Sequence, residues 1–189
     1  MELLFANHLN TVSSIDTNSF ITIVESVCSG VASFSNSFSF EFTLDPEIVR
    51  SSAHILDTIA SYLYFNQYKN TTTVNNIKRI LVAQPNFWEV VMTSLLNAFV
   101  FGSSNCLWDL TRPIFSIFLV KREAFDSYIK NISANQQPYV VTNLMNDTKV
   151  LLSNIDYSVG ERSRDDFSKK AIAWRRQFLS YMQLYHCLL

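Results

Sequence analysis

The sequence predicts an all-α protein built as a HEAT- or armadillo-like superhelix of antiparallel helix pairs. Three observations carry this expectation. Apolar residues recur at spacings of three and four along most of the chain, the period of one helical face. Glycine and proline are scarce, 3 and 4 in 189 residues, which leaves little material for tight turns. Strand and helix patterns do not alternate, so a parallel sheet has no support. Helix-pair units of roughly 40–47 residues fit this length about four times, the period of HEAT-type arrays. No clear self-similarity between pairs is visible, and periodicity alone also accommodates an ordinary helical bundle.

The elements follow in order. Phe20, Ile23, Val24, Val27, Cys28 and Val31 line one face of a helix capped by Thr17 or Asn18. Ser35 to Phe42 alternates polar residues with phenylalanines, but an isolated strand has no partner, so this stretch is expected to be a loop. Asp45-Pro46-Glu47 is a start signal, with Asp45 as cap, Pro46 at the first helical position and Glu47 at the positive end of the dipole. The helix that follows buries Val49, Ala53, Leu56, Ile59, Ala60 and Leu63 and ends near Asn66.

A shorter helix, Val74 to Ala83, presents Ile77, Ile80 and Leu81. Pro85 is expected to open the next, whose face from Phe87 to Phe99 is too broad for one contact, with Gly102 as its C-terminal cap. Leu110 to Val120 follows with Pro113 in its first turn, then Glu123 to Ser133 displaying Phe125, Tyr128 and Ile129. After the Gln136-Gln137-Pro138 break, Tyr139 to Ile155 carries Val141, Leu144, Met145, Leu151 and Leu152. The last helix is expected to start at Ser163, with Asp166 reaching back as a variant capping box. Its stripe of Phe167, Ala171, Trp174, Phe178, Tyr181, Tyr185 and Leu188 suits one helix lying against a bundle or solenoid. Trp88, Phe99, Phe115, Leu144 and Trp174 are the expected core between layers.

Charge does not select a partner: 15 basic against 16 acidic residues give a net charge of −1, so no global field favours nucleic acid or an anionic membrane. The longest greasy segment, Phe87 to Phe101, is interrupted by Glu89 and Asn97 and is shorter than the roughly 20 residues that span a bilayer; no membrane insertion is expected. Cys28, Cys106 and Cys187 are odd in number and widely spaced, which fits neither a disulfide framework nor a zinc site.

Catalytic chemistry has no visible carrier. The histidines, His8, His54 and His186, lie in no nucleophile-base arrangement, and there is no phosphate-cradling glycine loop or HExxH pattern; neither enzyme activity nor cofactor is expected. Asp165-Asp166 is better explained by capping than by acid-base work. The same region concentrates Arg162, Arg164, Lys169, Lys170, Arg175 and Arg176, a candidate patch for an acidic protein partner, though a solvated helix face is the simpler account. Nucleic acid is disfavoured because stacking aromatics are not interleaved with these charges.

The most specific stretch is Asn105-Cys106-Leu107-Trp108-Asp109-Leu110-Thr111-Arg112-Pro113, followed by an apolar run to Leu119, Phe125, Asn135, Gln137 and Pro138. With Asn18 to Gly30, Asp57 to Leu63, Pro85 to Phe101, Arg162 to Phe167 and Trp174-Arg175-Arg176, it resembles, in the same order, the C-terminal part of exportin-7-type nuclear transport receptors of the importin-β superfamily, the Ran-binding protein 16/17 group. The resemblance begins near Asn18 and fades after Phe178. It implies that residues 1–189 form a C-terminal HEAT-like segment, a single solenoid unit, of a much longer exportin. Such a receptor binds Ran-GTP, protein cargo and nucleoporins, and moves between nucleus and cytoplasm through the nuclear pore complex. A helical-repeat scaffold of a cytosolic assembly is the alternative. No Ran-contact or cargo-contact residue is carried over. Three departures stand out: residues 35–42 look like an insertion loop, one extra residue separates Asn105 from Trp108, and Leu179 to Leu189 does not resemble the family's polar tail.

Overall fold

In the computed structural model the described residues are Thr22, Ser26, Cys28, Ser29 and residues 46–186 apart from 103 and 135. Thr22, Ser26, Cys28 and Ser29 are helical, as the spacing before Val31 predicts; the rest of that helix, the 35–42 segment and Asp45 lie outside the described residues. Seven α-helices follow, with no strand among the described residues: α1 Pro46–Asn66, α2 Thr72–Ala83, α3 Phe87–Phe101, α4 Leu107–Val120, α5 Arg122–Ser133, α6 Pro138–Leu152 and α7 Glu161–His186. A 3-10 turn, Ser104–Cys106, leads into α4.

Local chemistry sets most boundaries. Pro46 takes the first position of α1, where its missing N–H costs nothing. Thr71 caps α2, its side chain accepting from the Val74 amide at 3.4 Å. Gly102 closes α3 with its amide on the Ala98 carbonyl. Lys121 ends α4 with its amide on the Ile117 carbonyl at 2.7 Å, and its own carbonyl accepts from Ala124 at 3.1 Å, so α5 starts at once. Asn154 adopts a positive φ of 53° just beyond α6, a conformation asparagine tolerates.

Four expectations need correction. Pro85 does not open α3; it lies in a turn in which the Phe87 amide reaches the Gln84 carbonyl, and the helix begins at Phe87. Pro113 is not in a first turn, because α4 starts at Leu107 and the proline sits inside it. The carbonyl left without its amide is that of Asp109, in the first turn of α4, and the neighbouring Ile114 and Phe115 side chains are buried and hold the helix in place. The buried stripe of α6 is Val140, Leu144, Thr148 and Leu151, which leaves Met145 exposed, and the helix ends at Leu152. The polar Thr148 turns inward because its hydroxyl accepts from the Trp174 indole at 3.2 Å. Finally, α7 starts at Glu161, so Ser163 is not a cap; its hydroxyl donates to Asp156 at 3.0 Å.

The helices stack in two layers. Helices α1, α4 and α7 lie side by side, with α4 in the middle, and α3 and α5 cover α4 from behind. Ion pairing of Arg50 with Asp109 and hydrogen bonding of Ser116 to Asp57 show that α1 and α4 run parallel, as equivalent helices of successive repeats do. Helices α3 and α4 form a hairpin, and α6 and α7 pair antiparallel, with Lys170 at the Ser153 carbonyl and Trp174 at Thr148. This is the arrangement of a helical-repeat superhelix. The packing of α1 is dominated by α4 rather than by α2, its neighbour in sequence.

Trp88, Phe99, Phe115, Leu144 and Trp174 are all buried, as expected. Phe115 stacks on Phe167 at 4.8 Å and Trp174 on Phe178 at 5.7 Å, tying α7 to the layer in front of it and extending along its own seam. Tyr181 continues that stripe into the core.

Candidate functional site

The six cations singled out near the C-terminus do not form one surface. Arg162, Lys169 and Arg176 are exposed and stand seven residues apart on α7, one line along the helix. Lys170 is half-buried; it pairs with Asp166 at 3.3 Å and donates to the carbonyls of Ser153 and Asn154. Arg175 and Arg164 turn inward and so stand apart from the exposed cations.

Arg175 closes the end of α3. Its Nε donates to the Phe99 carbonyl at 2.6 Å and the Val100 carbonyl at 3.1 Å, and an Nη donates to the Gly102 carbonyl at 2.8 Å. A cation there satisfies carbonyls that no helical amide reaches and meets the negative end of the dipole. Burial lowers the guanidinium's proton affinity.

Arg164 is only 9% exposed. It crosses from α7 over α4 to α1, where Nη1 donates to Asp57 Oδ2 at 2.7 Å and Nη2 donates to Ser61 at 2.7 Å and Ser116 at 3.3 Å. Ser116 in turn donates to Asp57 Oδ1 at 2.5 Å. Alongside, the hydroxyls of Thr111 and Ser168 approach to 2.6 Å. Two buried charges are tolerated because each is met by the other and by hydroxyls. The Arg164 Nε is buried with no hydrogen-bond partner.

Above this joint an open groove of about 870 Å³ runs along α1, α4 and the start of α7. Trp108, 38% exposed, stands at one end, and Phe65, 61% exposed, with Lys69 at the other. Two surface ion pairs edge it: Arg50 to Asp109 at 3.3 Å, and Arg112 to Glu161 at 2.9 Å with Asp165 at 3.9 Å. Because α7 starts at Glu161, Asp165 and Asp166 lie past its first turn and do not cap it; each is matched to a cation instead, Asp165 to Arg112 and Asp166 to Lys170. The groove was not anticipated. Its signal was present in the spacing of Arg50, His54, Thr58, Tyr62 and Phe65, a polar and aromatic face opposite the apolar one.

Residues that carried the sequence resemblance converge here. Asp57 and Tyr62, Arg112 and Pro113, and Arg164 come from three separate stretches and meet at the joint and its groove. The chain resembles exportin-7 and Ran-binding proteins along nearly its whole length. It is 20% identical to Exportin-7-B of Xenopus laevis, with 99% of this chain and 17% of that protein covered. It is 20% identical to Ran-binding protein 17 of Homo sapiens (93% and 16% covered) and 22% identical to Ran-binding protein 16 of Drosophila melanogaster (95% and 17%). The chain therefore spans about a sixth of the length of the curated relatives it matches. No protein-family model and no solved structure matches it.

Among the described residues no group of three His, Cys, Asp or Glu side chains is placed to hold a metal ion, and no helix is long and apolar enough to cross a membrane. His54 is exposed on α1, while the side chains of His8 and His186 lie outside the described residues. Burial raises the proton affinity of the Cys106 thiol, with Asp109 adding to the shift, so this cysteine is not primed as a nucleophile.

Proposed function

We propose that this chain is a helical-repeat segment of a nuclear transport receptor that takes part in Ran-dependent protein export. The receptor would move between nucleus and cytoplasm through the nuclear pore, engaging Ran-GTP, cargo and nucleoporins. The observation that carries the reading is the similarity to Exportin-7-B over 99% of the chain. The convergence of its motif residues on one interhelical joint supports it, since those residues hold neighbouring helices together. The role is binding rather than catalysis. No Ran-contact residue is assigned, and Ran-GTP is expected to bind the 189-residue chain alone weakly or not at all.

Arg162, Lys169 and Arg176 are the part of the basic region left free to meet an acidic partner. Exposed charges of this kind mainly tune association rate and salt sensitivity.

A chimera tests the reading. The matched segment of Exportin-7-B is replaced by this chain, and GTP-dependent binding of Ran and nuclear export of a reporter cargo are measured. Retention of both is expected. A folded chimera that binds Ran-GTP but no longer exports would overturn the transport reading in favour of a scaffold role.

A further inference from the structure

The groove between α1 and α4 is lined by exposed aromatic and charged side chains. Its volume of about 870 Å³ lies in the range of roughly 300–1,000 Å³ typical of ligand sites. It is long rather than deep: from Arg50 to Asn66 it follows α1 for about 24 Å at the helical rise. An extended chain of about seven residues covers that distance. Large apolar groups stand exposed at both ends, Trp108 beside Arg50 and Phe65 beside Lys69.

Charge narrows the occupant further. Each acid of the groove is already matched, Asp57 by Arg164, Asp109 by Arg50 and Glu161 by Arg112. Lys69 makes no ion pair among the described residues. Lys78 lies close to it, donating to the Gln67 carbonyl at 2.9 Å. From Thr58 through Trp88 the sequence contains no aspartate or glutamate, while Lys69, Lys78 and Arg79 are cationic. At the Phe65 end of the groove Lys69 is therefore an exposed lining cation with no ion pair among the described residues, beside an exposed ring.

We infer that this groove docks an extended acidic peptide, with a large apolar side chain set against Phe65 and a carboxylate beside Lys69. The inference rests on the reading of the chain as a protein-binding transport segment and deepens it by naming the chemistry of one partner. Arg164 is not a ligand group here; it holds α7 against α1 and so keeps the floor of the groove in place.

The test uses fluorescence anisotropy of a labelled peptide of alternating glutamate and phenylalanine, about eight residues long, titrated with the 189-residue chain. Saturable binding is expected, weakened about tenfold by Lys69→Glu and about fivefold by Phe65→Ser, both exposed positions. Lys149→Glu, on the exposed face of α6, should leave binding unchanged. A counterpart peptide of lysine and phenylalanine that binds equally well overturns the inference, as does a loss with Lys149→Glu equal to that with Lys69→Glu. Displacement of the peptide by oligothymidylate at similar affinity would make this a nucleic-acid groove and also overturns it. Export by the Exportin-7-B chimera does not depend on this peptide. Absence of peptide binding beside a working chimera removes the groove proposal alone, and a failed chimera beside peptide binding removes the transport reading alone.

Discussion

Asp57 shows what a single side chain contributes here. It is a carboxylate in a predominantly apolar layer, and its two oxygens are met by Arg164 on one side and Ser116 on the other. An ion pair this buried is not in itself a source of stability relative to well-packed apolar residues, because both charges have left water. Its removal from one side is a different matter. Asp57→Ala strands the Arg164 guanidinium, which already has one unmatched Nε, and should destabilise the chain by about 3–5 kcal/mol. Replacing both partners, Asp57→Leu with Arg164→Met, should cost far less. Chemical denaturation of the two variants checks this: equal losses would show that the pair is not a coupled unit.

At the scale of the element, α3 and α7 are joined by a cap that comes from a distant helix. Arg175 serves the carbonyls at the end of α3 across more than 70 residues of sequence. Arg175→Ala should cost about 2 kcal/mol, since hydrogen bonds to charged groups are worth about 1.5–3 kcal/mol. The loss should appear locally, as faster amide exchange in the last turn of α3, with α5 and α6 little changed; uniform acceleration throughout the chain would contradict it. The helices themselves were legible from the sequence because an apolar stripe declares its own period. Phe167, Ala171, Trp174 and Phe178 mark α7 without any knowledge of what they touch. The joint was not legible. Arg164, Arg175 and Asp57 carry the same letters as surface charges, and their partners stand 48 to 107 positions away. The frame of α6 was misjudged for the same reason, since Thr148 is buried by virtue of a tryptophan on another helix.

For the molecule as a whole, the response to pH follows from its buried phenols. Tyr128 donates to Asn97 at 3.0 Å between α5 and α3, and burial pushes its proton affinity up from the ordinary value of 10.0. Tyr181 is shifted the same way, by burial and then by Asp147. The folded chain therefore holds these protons more tightly than the unfolded chain. The stability they confer is fully present below about pH 10 and is lost as pH rises beyond it, by about 1.4 kcal/mol per pH unit for Tyr128 and by less for Tyr181, whose site solvent screens more. Unfolding midpoints measured from pH 9 to 11 should fall over that interval, and Tyr128→Phe should flatten the decline. An unchanged slope in the variant would show that Tyr128 titrates in the folded state as it does unfolded.

The bridge from Asp57 to Arg164 also has a consequence in time. A ribosome adding about 5–20 residues per second needs roughly 5–20 s to pass from one partner to the other, 107 positions on. From the completion of α4 at Val120 to the arrival of Arg164, roughly 2–9 s of that interval, α1 and α4 exist without the cation that neutralises the Asp57 carboxylate, so their contact closes around an unmatched charge or waits in an open form. Slow completion of the nascent chain at codons before residue 164 would lengthen its exposure to chaperones and proteases, whereas the same pause before residue 57 would not.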